Sequence, residues 1–203
     1  TTRLVGSEMC IRDRYIDEII SGKDPEMVSV MLNKLTTNYT YFMREKEHFD
    51  FLQKQILPEL ANKHSRDRSI AIWSAGCSSG EEPYNISMYL KEFFSALPGS
   101  WDTRILATDI SQRVLDSAMD PRYSLESLKE LPPSWQERYF VPMGDKTYTV
   151  SDALRKNVIF RSFNLMDPIH FRKKFDLIFC RNVMIYFDRP TKAALVRRCL
   201  LYT

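Results

Sequence analysis

The stretch that most restricts this chain runs from Ile70 to Tyr84, IAIWSAGCSSGEEPY. An apolar, β-prone run (Ile70, Ala71, Ile72, Trp73) gives way at Gly76 to small residues as far as Gly80. Glu81, Glu82 and Pro83 then open an amphipathic run, NISMYLKEFF. Strand, small-residue turn and helix in that order bring backbone N–H groups and a helix N-terminus up to a ligand. Small residues serve here because a Cβ in a tight turn blocks the close approach of backbone. The spacing Gly76-x-x-x-Gly80 is not the GxGxxG of dinucleotide binders, and no Lys-Ser/Thr pair follows as in a phosphate-cradling loop. Glu81 and Glu82 stand where a pyrophosphate would sit and would repel it. The turn therefore suits a neutral or cationic ligand.

From Ser69 onward strands and helices alternate, which predicts an α/β layer on a parallel sheet. The strand TRILATDI ends at Asp109. An acid at that tip can accept hydrogen bonds from ribose hydroxyls, although it lies farther along than the usual spacing of about 20 residues. Asp109 equally suits a cap for the helix SQRVLDSAM, and the two roles are compatible. Pro121 to Gln136 reads as loop and short helix. ERYFVPMGDKTYTV reads as a hairpin around Gly144-Asp145, an insertion whose edges can recruit a peptide strand. Asn157 to Phe163 is a third core strand, followed by Asn164-Leu165-Met166-Asp167. FDLIFCRN is a fourth, apolar enough to predict burial on both faces. It ends at Arg181-Asn182, and Val183 to Phe187 lead into a helix from about Thr191.

Upstream, residues 15 to 64 read as helices. Tyr15, Ile16, Ile19 and Ile20 share a face that closes at Ser21-Gly22, and Met27 to Leu35 form a second amphipathic piece. Thr37, Asn38 and Thr40 compete as N-caps for a helix carrying the stripe Phe42, Phe49, Leu52 and Ile56. On that helix Arg44 by itself is a solvated charge. The opening TTRLVGSEMCIRDR (1–14) and the closing CLLYT (199–203) read as non-native flanks and carry no functional argument.

Composition removes several classes. A length of 203 residues holds one domain, or one plus a small accessory. A net charge of +3 is too small to point to nucleic acid or a membrane surface. No apolar run nears the roughly 18 residues of a membrane span and no secretory signal is visible, so membrane insertion is not expected and a cytoplasmic location is. Cys10, Cys77, Cys180 and Cys199 form no CxxC, and His48, His64 and His170 are scattered. No metal is expected, and the thiols read as free in a reducing cytosol.

Taken together and in this order, LTTNYTYFMRE, WSAGCSSGEEPY, ATDI, FNLMD and FCRNVMIYFD resemble the chemotaxis-receptor glutamate methyltransferases (CheR-type), over about Lys34 to Arg198. The resemblance implies a Rossmann-like α/β sheet that binds S-adenosylmethionine (SAM), behind a small N-terminal helical domain and with an inserted antiparallel β subdomain. The expected layout is a helical domain at 15–64, a SAM-binding domain at 69–203 and the insertion at about 137–156. By position in the motifs, Asn38, Thr40, Arg44, Glu82, Asp109, Asn164, Leu165, Asn182 and Val183 would line the cofactor site. Asp109 would take the ribose, Asn164 and Leu165 the adenine, and Glu82 the cationic methionine part. Arg44 and Tyr186 would contact the reacting carboxylate. The implied reaction gives glutamyl methyl esters and S-adenosylhomocysteine. The implied partner is the cytoplasmic helical domain of chemoreceptors, with no nucleic acid and a monomeric enzyme. In the family the sheet continues past the helix near Thr191 and the first helices extend further upstream, so the chain reads as truncated at both ends. Phe175 to Cys180 would then be an exposed edge, and poor solubility alone is expected. The short turn at Met143 to Lys146 favours an enzyme independent of a receptor tether.

Such chemistry needs no general base, since a glutamate of pKa about 4.3 is already ionised at neutral pH. What remains is alignment, which assigns Arg44 and Tyr186 to positioning. Other readings stay open. A methyltransferase for another substrate would share the cofactor half, although RNVMIY is not the Asn-Pro-Pro-aromatic motif of base methylation. A non-catalytic SAM-sensing or docking module would bind cofactor without transfer. An NAD-linked dehydrogenase lacks its glycine spacing.

Overall fold

Residues 17, 21, 24–35 and 38–203 are described in the computed structural model of the chain. The flank expected at 1–14, most of the helix expected at 15–22 and the candidate cap Thr37 lie outside them. The chain divides into two compact units, 1–37 and 38–203. In the first, helix α1 (Pro25–Leu35) starts behind Asp24. Asp24 Oδ1 accepts the backbone N–H of Glu26 at 2.9 Å and of Met27 at 3.1 Å, donors that a helix start otherwise leaves unpaired.

The second unit contains strands β1 (Ile72–Ala75), β2 (Ile105–Asp109), β3 (Tyr123–Ser124), β4 (Phe140–Gly144), β5 (Thr147–Val150), β6 (Val158–Ser162) and β7 (Leu177–Phe179). Strands β6-β2-β1-β7 make a parallel sheet, and β3-β5-β4 a separate antiparallel one. The helices are α2 (Lys46–Phe51), α3 (Leu57–Lys63), α4 (Glu81–Ser95), α5 (Gln112–Met119), α6 (Pro133–Tyr139), α7 (Asp152–Arg155) and α8 (Arg189–Leu201).

The alternation of side chains along a strand sorts the core onto the two faces of the parallel sheet. Ile72, Ile105, Ala107 and Phe179 pack with Tyr84, Met88 and Leu90 of α4 and with Phe49, Leu57 and Leu60 of the 46–63 helices. Their neighbours Trp73, Ala75, Leu106 and Ile178 pack with Leu165, Ile169, Phe175 and Leu195 of α8. Trp73 is wholly buried there, its Nε1–H donating to Thr108 Oγ1 at 2.9 Å.

Three expectations are corrected in detail. The helix with candidate caps at Thr37, Asn38 and Thr40 begins at Lys46, because Met43 (φ 60°) and Glu45 (φ 53°) adopt left-handed backbone that no α-helix contains. Residues 38–45 therefore form an irregular segment. Strand β7 is shorter than the run FDLIFCRN, and Leu177 and Ile178 are only half-buried because β7 lies at the edge of the sheet. The hairpin turns at Asp145-Lys146 (φ 47° and 58°), one residue later than expected, with Gly144 paired to Thr147. The third strand of the antiparallel sheet comes from Tyr123–Ser124, ahead of the hairpin. Between α2 and α3 the helix widens to a π-turn (Leu52–Ile56) just before Pro58, which has no N–H to give and whose ring crowds the preceding turn.

Candidate functional site

A parallel sheet brings the C-terminal ends of all its strands to one edge, where loops can build a site. The turn after β1 reaches that edge with Gly76 (φ 85°), Ser78 (φ 48°) and Gly80 (φ 95°). The N–H groups of Gly76 and Cys77 both donate to Thr108 O at 2.8 Å. Gly76 is required twice over: its φ is one that residues with a Cβ rarely adopt, and a Cβ there would lie 2.3 Å from Val183 Cγ2.

Asp109, at the tip of β2, is 8% exposed and braces this turn. Its Oδ2 accepts the N–H of Ser78 at 2.9 Å and its Oδ1 that of Ser111 at 3.0 Å. Capping of α5 falls to Ser111, whose hydroxyl accepts from Val114 N. An ionised carboxylate has about four acceptor positions, so Asp109 keeps capacity for a ligand hydroxyl.

Glu82, in the first turn of α4, faces inward. Its Oε1 accepts from the Ser74 hydroxyl at 2.7 Å and its Oε2 from Arg181 Nη1 at 3.2 Å. Burial pushes the Glu82 carboxyl above its ordinary range, against the opposing pull of Ser74 and Arg181. Arg181 also pairs with Glu45 at 3.3 Å, donates to the carbonyl of Arg44 and lies over the Phe49 ring, 5.1 Å from its centre. Asn182 Nδ2 donates to Glu45 Oε1 at 2.9 Å, and this bond leads in holding the Glu45 carboxyl below its usual value.

The structure thus joins several of the residues singled out in the sequence. Asn38, through its carbonyl, accepts from the Ser78 hydroxyl at 2.8 Å, next to Asp109. Arg44 and Asn182 meet Glu82 through Arg181 and Glu45, and Val183 packs on Gly76. Arg44 donates Nη1 to Tyr39 O at 2.7 Å and lies over the Tyr39 ring. Asn164 and Leu165 follow β6 on the same edge of the sheet, and among the described residues their hydrogen bonds run to Met166, Asp167 and Arg198. Thr40 lies in the segment that Asn38 anchors. Tyr186, in a turn of 3-10 helix (Met184–Tyr186), is 58% exposed, and its backbone N–H donates to Val183 O at 3.3 Å. Arg181, Ser74, Ser78 and Glu45 belong to the network and were not legible as site residues. The only signal was an arginine closing an apolar strand opposite a motif with two acids.

The family profile described as "CheR methyltransferase, SAM binding domain" matches residues 38–201. The chain is 47% identical over 171 residues to a chemotaxis protein methyltransferase of Borreliella burgdorferi, covering 83% of this chain and 60% of that protein. It is 40% identical over 184 residues to chemotaxis protein methyltransferase 2 of Pseudomonas aeruginosa, covering 87% and 62%. It is 38% identical over 171 residues to chemotaxis protein methyltransferase Cher2 of Pseudomonas putida, covering 83% and 62%. The chain thus spans about three fifths of the length of these curated relatives. Among the described residues no helix is long and apolar enough to cross a membrane.

Proposed function

The chain belongs to the CheR methyltransferase family, and from that premise we propose that it transfers a methyl group from SAM to glutamate side chains of bacterial chemoreceptors. The products are glutamyl methyl esters and S-adenosylhomocysteine. The observation that carries this reading is the pair of carboxylates set around a glycine turn with no lysine to hold a phosphate, Glu82 in the first turn of α4 and Asp109 at the tip of β2. Those acceptors fit a ligand with a ribose and a cationic end. In this reading Asp109 accepts from the ribose hydroxyls, and Glu82 offers its carboxylate to the ammonium of the methionine part. The loop at Asn164 and Leu165 takes the adenine. Asn38, Thr40, Arg44, Asn182 and Val183 close the site.

When bound, SAM supplies an electrophilic methyl on its sulfonium, so the chain needs no base for a carboxylate that is already ionised. The protein's work is to hold the carboxylate oxygen in line with that methyl. Arg44 commits one nitrogen to Tyr39 O, and a guanidinium has five N–H donors, so it keeps several to orient an incoming carboxylate. The exposed Tyr186 hydroxyl offers a further donor. Both act by orientation: opposite charges cancel as the bond forms, and tight hydrogen bonding to the nucleophile would favour the ground state. The partner in this reading is the cytoplasmic helical domain of the receptor, met by a monomeric enzyme in the cytoplasm.

The test is incubation of the chain with methyl-labelled SAM and receptor. Label on the receptor that base releases supports a glutamyl ester. Base-stable label, or none from a chain that binds S-adenosylhomocysteine, contradicts it.

A further inference from the structure

The loop that follows β6, 164–167, has no regular secondary structure, yet its backbone is held from two sides. From within, Asn164 Oδ1 accepts the N–H of Met166 at 2.9 Å, and Asn164 O accepts that of Asp167 at 2.9 Å. From α8, Arg198 donates Nη2 to Leu165 O at 2.8 Å, and Nη1 to Met166 O at 3.0 Å and Asp167 O at 2.9 Å. Successive carbonyls that converge on one point concentrate partial negative charge. A planar guanidinium with donors in a fork meets all three, whereas an ammonium is a compact point charge. Arg198 Nε is buried and makes no hydrogen bond among the described residues, so the contacts of this head group run through its terminal nitrogens to the loop.

The helix holds Arg198 in place for this contact. Leu195, three residues earlier and so on the same face, is fully buried with Trp73, Ala75 and Leu165. The apolar contact docks α8 on the loop, and the guanidinium one turn on ties its carbonyls.

We propose that Arg198 is a positioning residue for the base side of the cofactor site, acting through the loop of Asn164 and Leu165. The proposal rests on the reading of that loop given above. Arg198 does not touch the ligand; it sets the backbone whose polar groups meet the edge of the base.

The test titrates the chain and its Arg198→Ala and Arg198→Lys variants with two probes. One is S-adenosylhomocysteine; the other is S-inosylhomocysteine, in which oxygen replaces the six-amino group of the base. The native chain is expected to prefer the adenine probe. In Arg198→Ala that probe weakens by about tenfold while the inosine probe changes little, so the preference collapses. Arg198→Lys falls between them, and it is the variant to read if Arg198→Ala does not fold. An unchanged preference in a folded variant, or equal weakening of both probes as from a general loss of stability, overturns the proposal. So does a native chain that binds both probes equally. A native chain that is folded and binds neither removes the cofactor reading itself, and this inference with it.

Discussion

Arg181 Nη1 lies 3.2 Å from Glu82 Oε2 in an ion pair whose side chains are only 11% and 14% exposed. The pair spans 99 residues, and the same guanidinium reaches 137 residues back to the carbonyl of Arg44. It therefore ties the tip of β7, the first turn of α4 and the segment 38–45 into one unit at the edge where the candidate site lies.

Removing one partner of a buried pair leaves the other desolvated and unpaired, which costs more than the pair contributes. Arg181→Met is expected to lower stability in urea by about 3 kcal/mol. Glu82→Gln in that background should cost much less than it does alone, because the uncompensated carboxylate is already the fault. Strictly additive losses would show that the two side chains act independently.

Gly76 faces two separate penalties on gaining a Cβ, a left-handed φ of 85° and an overlap with Val183 Cγ2. Gly76→Ala should destabilise by about 3 kcal/mol, combining the left-handed penalty with overpacking. Adding Val183→Ala should recover the steric part and leave about 1–2 kcal/mol of backbone strain. A Gly76→Ala variant with an unchanged urea midpoint would mean that the turn adjusts freely.

Much of this edge was legible in the sequence, and the reason is local. In Ile70–Tyr84 the switch from β-branched residues to glycine and then to acids is written in consecutive positions, and β1, its turn and α4 follow it. Asp109 was legible as a tip residue, but its bracing of Ser78 depends on two strands pairing in register. The start of α2 was not legible. Thr37, Asn38 and Thr40 all have capping chemistry, yet the segment 38–45 bonds instead to Ser78, Arg181 and Asn182, far along the chain. Arg198 was passed over for a similar reason: a solvated helix arginine and one that ties three carbonyls look alike in sequence. An apolar run by itself likewise cannot say whether its strand is central or at an edge; the edge position of β7 was expected only from the family resemblance.

His64 links the end of α3 to the residue before β7. Its Nε2 lies 2.7 Å from Asp176 Oδ1 and its Nδ1 3.1 Å from Asp67 Oδ1, while Lys63 Nζ pairs with Asp176 at 2.8 Å. Only an imidazolium can donate from both nitrogens. Burial lowers the His64 pKa, but its hydrogen bonds to Asp176 and Asp67 outweigh it and the net direction is up. A raised histidine contributes stability that is fully present below about pH 6.5 and is lost as pH climbs through the folded-state value above it. Urea midpoints should therefore fall from pH 6 to 8.5, and His64→Gln should flatten that fall. A native profile that rises with pH over this range would contradict the arrangement.

Tyr186 tests the division between binding and orientation. Exposed as it is, Tyr186→Phe should leave cofactor affinity nearly intact and lower turnover by about tenfold, a loss confined to the transition state. A comparable loss of cofactor affinity would place Tyr186 among the binding residues instead.

The most direct measurement of the central claim is a calorimetric titration of the folded chain with S-adenosylhomocysteine, beside Asp109→Ala checked for its secondary structure. The account predicts binding in the native chain that weakens by more than about tenfold, or about 1.4 kcal/mol, in the variant. A folded native chain that does not bind, or a folded variant that binds equally well, would contradict a cofactor held at the tips of β1 and β2.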